Sequence, residues 1–544
     1  VNAEGASVQL QLRQSNIAQL SQGVYDALVI GGGINGAVAA ASLSGKGAKV
    51  ALIEQRDFAG FTSQHSSNLA WGGIKYLENY EFRLVWDLCK SRNQLLKNYP
   101  TVVRELRFLT TAARGFRHHP GKLWLGAWLY WAMGRGFTRV PRFLSPRALK
   151  AEEPSINTND SLGGIEYSDA YLYDNDARFV FGLVRSAMSH GCIAANYVES
   201  LGAKKSNDGL WQTRARDVIN GEEHGIRSRT LINAAGPFVD QHNALTQQKT
   251  EHHHVFSKGI HLIVDRITDS ARALAFFAED GRLFFAIPMG HRTCIGTTDT
   301  RVDTPHTEVS DADRTFVLDN INVRLDLKAP LTKKDIIAER CGVRPLAVGR
   351  NAQPIADFLQ LSRKHVIECD ERSKHISIFG GKLADCINVG EEIAGKVQRL
   401  GIAIPQPEGK WYGEPSAEVE ESFRLQAKRM NLDGYTSPTA CERLSARLWR
   451  RYGEDSLAIL EAIREDPRQT EVLIEGTAYI RCELFHAARK EMIAKLEDFL
   501  RRRSRIALLN RPQDIKSARG LKEACDILFG DQGQERFEEY FEKA

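Results

Sequence analysis

The chain has 544 residues, 42% hydrophobic and 26% charged, with a formal net charge of +5 at pH 7. That length supports two or three domains around large cores, and the balance of residue types is that of a globular protein. The small net charge gives no reason to expect nucleic acid, no apolar run is long enough to span a bilayer, and nine scattered cysteines without CxxC or Cys/His zinc spacing point to reduced thiols and no metal site.

Residues 1–22 are polar and lack a signal-peptide core. They read as a flexible arm, and the chain as cytoplasmic. Residues 27–30 form a short apolar run that suits a buried parallel strand. Gly31, Gly32 and Gly33 follow, then a small-residue helix over 37–43 and a second apolar strand over 50–53. Within this unit Gly31, Gly33 and Gly36 match G-x-G-x-x-G, and Glu54 ends the second strand. The three glycines allow a tight turn, close approach of a pyrophosphate and close helix–strand packing. Ile34 and Asn35 open the helix whose N-terminus faces the phosphates. Glu54, with Gln55 beside it, is placed to take ribose hydroxyls.

Residues 81–97 predict an amphipathic helix. Residues 123–133 are apolar and aromatic, with Trp124, Trp128, Tyr130 and Trp131 between basic flanks that include Arg114, Arg117, Arg135, Arg139 and Arg142. They read either as a surface segment on anionic lipid or as a buried interdomain helix. Residues 231–237 predict a buried strand ending at Ala234, Ala235 and Gly236. The tract 252–254 is three histidines, read as loop because adjacent side chains point apart. The runs 261–264, 283–288 and 293–297 predict an antiparallel sheet. The run 376–379 ends in Gly380, Gly381 and Lys382 before a helix, which gathers N–H groups, a helix dipole and a lysine at one point. Three glycine-bearing turns in order favour FAD over NAD. Residues 403–544 read as helical, and the basic run 501–505 as a solvated helix face or a lipid contact.

The resulting fold class is α/β. A Rossmann-type FAD-binding domain is expected from residues 23–120, 150–245 and 340–402. An antiparallel-sheet substrate domain is expected from 121–149 and 246–339, and a C-terminal α-helical domain from 403–544.

Several stretches resemble the FAD-dependent glycerol-3-phosphate dehydrogenases and related oxidases, within the D-amino-acid-oxidase-like flavoproteins. They are Gly31-Gly32-Gly33-Ile34-Asn35-Gly36, Gly72-Gly73 with Lys75-Tyr76, Glu166-Tyr167-Ser168-Asp169, Asn233-Ala234-Ala235-Gly236-Pro237, Lys258-Gly259-Ile260-His261, Gly342-Val343-Arg344-Pro345 and Phe379-Gly380-Gly381-Lys382-Leu383. The resemblance implies oxidation of sn-glycerol 3-phosphate to dihydroxyacetone phosphate, with hydride passing from C2 to flavin and electrons to a membrane quinone. It also implies peripheral contact with the inner face of the cytoplasmic membrane. A divergent member oxidising another small hydroxy or amino compound, or an oxidase using oxygen, is the alternative.

By the same resemblance Thr62, Ser63, Ser66, Ser67, Val198 and Leu383 join the cofactor residues. Lys75, Tyr76, Arg344 and Arg363 face substrate. His261, Arg344 and Lys382 are the catalytic candidates: His261 as base, with Arg344 as its rival through stabilisation of the alkoxide. The sequence departs from the family pattern at Asn68 and Trp71, where lysine and histidine are usual. Lys75 replaces an arginine, and Ala384-Asp385-Cys386 replaces hydroxyl and aromatic residues.

Overall fold

The computed structural model describes residues 11–113, 119–278, 282–350 and 365–542. Two sheets and a helical domain account for most of it. The first sheet has eight strands. Its spine runs Val366–Asp370, His375–Phe379, Glu223–Asn233, Val24–Ile30, Val50–Glu54 and Ile193–Asn196. Four neighbouring pairs within it are parallel. Strands buried on both faces explain the unbroken apolar runs at 27–30 and 50–53. Helices Ile34–Gly45, Asp176–Ser189 and Cys386–Arg399 cover one face, packed through Ala37, Ala40, Val180 and Ile393.

The second sheet has ten strands and is mainly antiparallel. Its longest contact pairs His252–Asp265 with Ala338–Gly349. It recruits more chain than the sequence suggests. Leu69–Ala70, Val103–Ala113, Ser161–Leu172 and Ala338–Gly349 all pair within it, although all of these positions but Ala338 and Glu339 fall in the segments expected for the FAD domain. Hydrogen-bond register, not sequence proximity to the glycine turns, assigns them. The triple histidine is likewise no loop: it begins the strand His252–Asp265, whose alternation separates His253 from its neighbours.

Residues 11–20 are not a loose arm. They form the helix Gln11–Leu20, docked by buried Ile17 and Leu20 and by a 2.7 Å ion pair from Arg13 to Asp217. Residues 1–10 lie outside the described set.

The C-terminal helices from Ala417–Arg429 to Gly533–Glu542 enclose their own apolar clusters. The basic run is not a solvated face or a lipid contact. Arg501, Arg502, Arg503 and Arg505 are all buried. Arg502 and Arg503 reach Asp57 in the loop after Val50–Glu54, each at 2.8 Å, and this joins the helical domain to the first sheet.

Candidate functional site

A cleft of about 810 Å³ opens at the carboxyl ends of the parallel strands, the usual ligand position in such sheets. Gly31, Gly33, Ile34 and Asn35 line it from the first turn, and Glu54 and Gln55 from the second strand. Thr62, Ser63 and Val198 add one wall; Ala234, Ala235 and Gly236 add another; Gly380 and Gly381 close a third. The three turns touch. A Cβ on Gly31 would sit 2.5 Å from the Ala234 carbonyl oxygen, and a Cβ on Gly36 1.8 Å from that of Gly31. Gly36 therefore packs the helix on the turn rather than lining the cleft. Asn35 Nδ2 donates to the Gly380 carbonyl at 2.9 Å and ties the first turn to the last.

Glu54 Oε2 accepts the Gly32 N–H at 2.6 Å, and Oε1 accepts the Arg56 N–H at 2.8 Å. Burial lifts its pKa, and these two N–H groups oppose the shift. Ser63 Oγ caps the Ile34 N–H at 3.0 Å, while Thr62 donates to the Val343 carbonyl at 2.8 Å. The latter bond fixes the cofactor loop to the strand that carries Arg344.

Other expected positions sit elsewhere. Ser66 and Ser67 are not on the cleft wall. The Ser66 N–H donates to Asp176 and its carbonyl accepts from Arg340. These bonds hold the loop after Ser63 between the helix Asp176–Ser189 and the strand Ala338–Gly349. Lys382 and Leu383 also stand off the wall. Lys382 Nζ donates to Tyr76 Oη at 3.0 Å, bringing two expected residues together. Lys75 lies beside Tyr76 in the turn Ile74–Asn79. Arg363 lies outside the described residues.

His261 and Arg344 occupy one face of the second sheet, because Ser257 pairs with Arg344 and His261 with Arg340. Arg344 donates to Thr297 Oγ1 at 2.7 Å and to the Thr298 carbonyl at 3.2 Å, and stands 3.8 Å from Asp299. His261 is buried. Burial and the cations Arg340 and Arg344 push its pKa well below the usual histidine range, so the ring is neutral at physiological pH.

Some residues escaped sequence reasoning. His254 Nε2 accepts the Gly380 N–H at 3.0 Å, which leaves Nδ1 as the protonated nitrogen, 3.4 Å from Asp240. Phe61, Phe238 and His306 form an aromatic cluster on the cleft wall, with Phe61 and Phe238 centroids 4.9 Å apart. Lys495 and Arg536 reach the same wall from the C-terminal domain. The only sequence signal for His254 was the histidine tract itself.

Residues 26–381 match the family model described as FAD dependent oxidoreductase, and residues 416–528 match the C-terminal domain of alpha-glycerophosphate oxidase. A glycerol-3-phosphate dehydrogenase of Pseudomonas aeruginosa is 32% identical over 508 residues, covering 90% of this chain and 93% of the relative. The chain belongs to the glycerol-3-phosphate dehydrogenase family of FAD-dependent oxidoreductases. Its cofactor is FAD. The aerobic glycerol-3-phosphate dehydrogenase of Escherichia coli is 29% identical, over 92% of this chain and 97% of that protein. The fold matches that of the Bacillus halodurans glycerol-3-phosphate dehydrogenase complexed with FAD, with TM-score 0.75, 24% identity and coverage of 98% and 97% of the two chains.

The family's departures have local explanations here. Asn68 takes a left-handed backbone (φ 59°), which asparagine tolerates. Its amide donates to the Leu172 and Asp174 carbonyls, and its oxygen accepts from Arg340 at 2.7 Å. Trp71 packs against Tyr76 and Phe285. Asp385 is neutralised: it pairs with His365 at 2.8 Å and accepts from Ser91 and Asn388. Burial works against the charge on His365, but Asp385 and Glu392 outweigh it and raise that histidine to about 9.

Proposed function

We propose that the enzyme oxidises sn-glycerol 3-phosphate to dihydroxyacetone phosphate and passes the electrons to a membrane quinone. The observation that carries this reading is a neutral, buried His261 beside Arg344, on the strand tied by Thr62 to the cofactor loop. The relatives named as glycerol-3-phosphate dehydrogenases supply the substrate. Bound flavin supplies the acceptor for hydride from C2. Around it the protein handles a proton and fixed charge. His261 takes the hydroxyl proton on a ring nitrogen, which burial and its cationic neighbours keep unprotonated. Arg344, held by Thr297 and the Thr298 carbonyl, stabilises negative charge as it develops on the C2 oxygen. Lys382 and Tyr76 hold each other at the turn that begins with Gly380.

A lipid contact fits this reading. Helix Pro120–Met133 buries Ala127 and Tyr130 but exposes Trp124, Leu125 and Leu129. Trp124, Phe143 and Leu162 border one shallow hollow, and Arg139 and Arg142 lie close by in sequence. An exposed apolar patch with basic neighbours suits peripheral attachment to anionic lipid, on the cytoplasmic face where a quinone is reached. Among the described residues no helix is long and apolar enough to cross a membrane.

Arg344→Ala tests the reading. It is expected to keep bound FAD and lose flavin reduction by sn-glycerol 3-phosphate. Wild-type reduction kinetics in this variant would overturn the role given to Arg344.

A further inference from the structure

The sheet face that carries His261 and Arg344 also carries Arg340. In the pair His252–Asp265 with Ala338–Gly349, Ser257 stands opposite Arg344, Gly259 opposite Gly342 and His261 opposite Arg340. Alternation puts all six on one face. The middle pair is bare. A Cβ on Gly259 would lie 2.2 Å from the Arg344 guanidinium, so that head leans over the glycine towards His261. His65 covers Gly342.

Arg340 is fully buried. Its Nη1 donates to the Ser66 carbonyl and to Asn68 Oδ1. Its Nε and Nη2 have no partner among the described residues. Neither ring nitrogen of His261 has one, nor does Arg501 Nη1. The carboxylate beside this group is Asp176, already accepting from the Ser66 and Ala177 N–H groups. Asp176 is thus already engaged, and Glu497 is the other carboxylate near Arg501. Arg344, by contrast, is engaged with Thr297, Thr298 and Asp299. Nε and Nη2 form the side-on edge of a guanidinium, which meets two oxygens of a phosphate or carboxylate at once. Buried donors without partners, beside excess positive charge, are completed by an anion.

We propose that Arg340 is a second anion-recognising arginine of the substrate site, its Nε and Nη2 edge holding the phosphate while Arg344 and His261 address the hydroxyl carbon. This rests on the reading of the site as one for a phosphorylated polyol.

The test uses FAD-loaded wild type, Arg340→Met and Arg340→Lys. Anaerobic flavin reduction is followed with sn-glycerol 3-phosphate and with glycerol, and inorganic phosphate is titrated as a competitor. In Arg340→Met the half-saturating concentration of glycerol 3-phosphate is expected to rise at least about thirty-fold, as loss of charge-assisted hydrogen bonds implies. Competition by phosphate should vanish, and any reduction by glycerol should fall far less than reduction by its phosphate. Arg340→Lys should lose less. Three results would overturn the proposal: unchanged half-saturation in both variants, an equal loss for glycerol and its phosphate, or loss of FAD from both variants. If wild type is not reduced by glycerol 3-phosphate, the substrate reading itself fails. Phosphate binding by calorimetry, present in wild type and absent in Arg340→Met, would then still support Arg340 as an anion site, and equal binding would refute it.

Discussion

Asp57 joins the cofactor loop to the C-terminal domain, and its charge is open to a direct test. The carboxylate is buried and accepts four hydrogen bonds: one from Arg502 Nε and two from Arg503, all at 2.8 Å, and one from Asn196 at 2.9 Å. Burial opposes its ionisation, but Arg503 and Arg502 hold its pKa below the usual carboxylate value. Asp57→Asn keeps the shape and removes the charge. Arg502 still has Asp498 at 2.6 Å, but Arg503 is left with neutral acceptors alone, the Glu491 carbonyl and the new amide oxygen. Breaking a buried pair from one side typically costs about 3–5 kcal/mol, because the remaining charge stays buried without its partner. Urea unfolding followed by far-UV circular dichroism and by flavin fluorescence measures that loss. The expected result is an unfolding free energy lowered by this amount, seen as a lower urea midpoint, with FAD released as the domain contact fails. Adding Arg503→Met should recover much of the loss, since the orphaned charge is then gone. A single variant within about 1 kcal/mol of wild type, or a double variant weaker than the single by the full cost of a second lesion, would refute the reasoning.

Three further outcomes follow from particular contacts. Gly36→Ala drives a methyl group to within 1.8 Å of the Gly31 carbonyl oxygen, so the purified variant should retain little FAD by absorbance; full loading would contradict the packing role. His365 has its folded pKa raised to about 9 by Asp385 and Glu392, so its stabilisation is complete below the unfolded value near 6.5 and is lost as pH rises through about 9. The contribution is at most about 3 kcal/mol, and His365→Gln should flatten the pH dependence of unfolding across that window; an unchanged slope would refute it. Leu125→Asp with Leu129→Asp should abolish co-sedimentation with anionic vesicles while leaving FAD bound, whereas undiminished sedimentation would remove that helix from the lipid contact.

The first glycine turn was readable because local rules govern it: an apolar strand, glycines where a side chain would clash, and Glu54 at the next strand's end. Gly36, the third glycine, packs the helix on the first strand and its turn as the fingerprint implies, and does not line the cleft. What the sequence hid is mostly long-range pairing. Nothing local tells that Val103–Ala113 and Ser161–Leu172 pair with each other and join the second sheet. Arg502 and Arg503 looked solvated because their partner Asp57 lies more than 400 positions away. Arg340 stands four residues before Arg344, and a strand's period of two puts both on one face. That signal was present, but it has meaning only once the segment is known to be a strand.

The most direct test of the central claim is anaerobic titration of the FAD-loaded enzyme with sn-glycerol 3-phosphate, followed at the oxidised-flavin absorbance. The account predicts bleaching with formation of one dihydroxyacetone phosphate per flavin, and rapid return of colour on adding a quinone. An absorbance unchanged by glycerol 3-phosphate, in protein that holds FAD stoichiometrically, would contradict it.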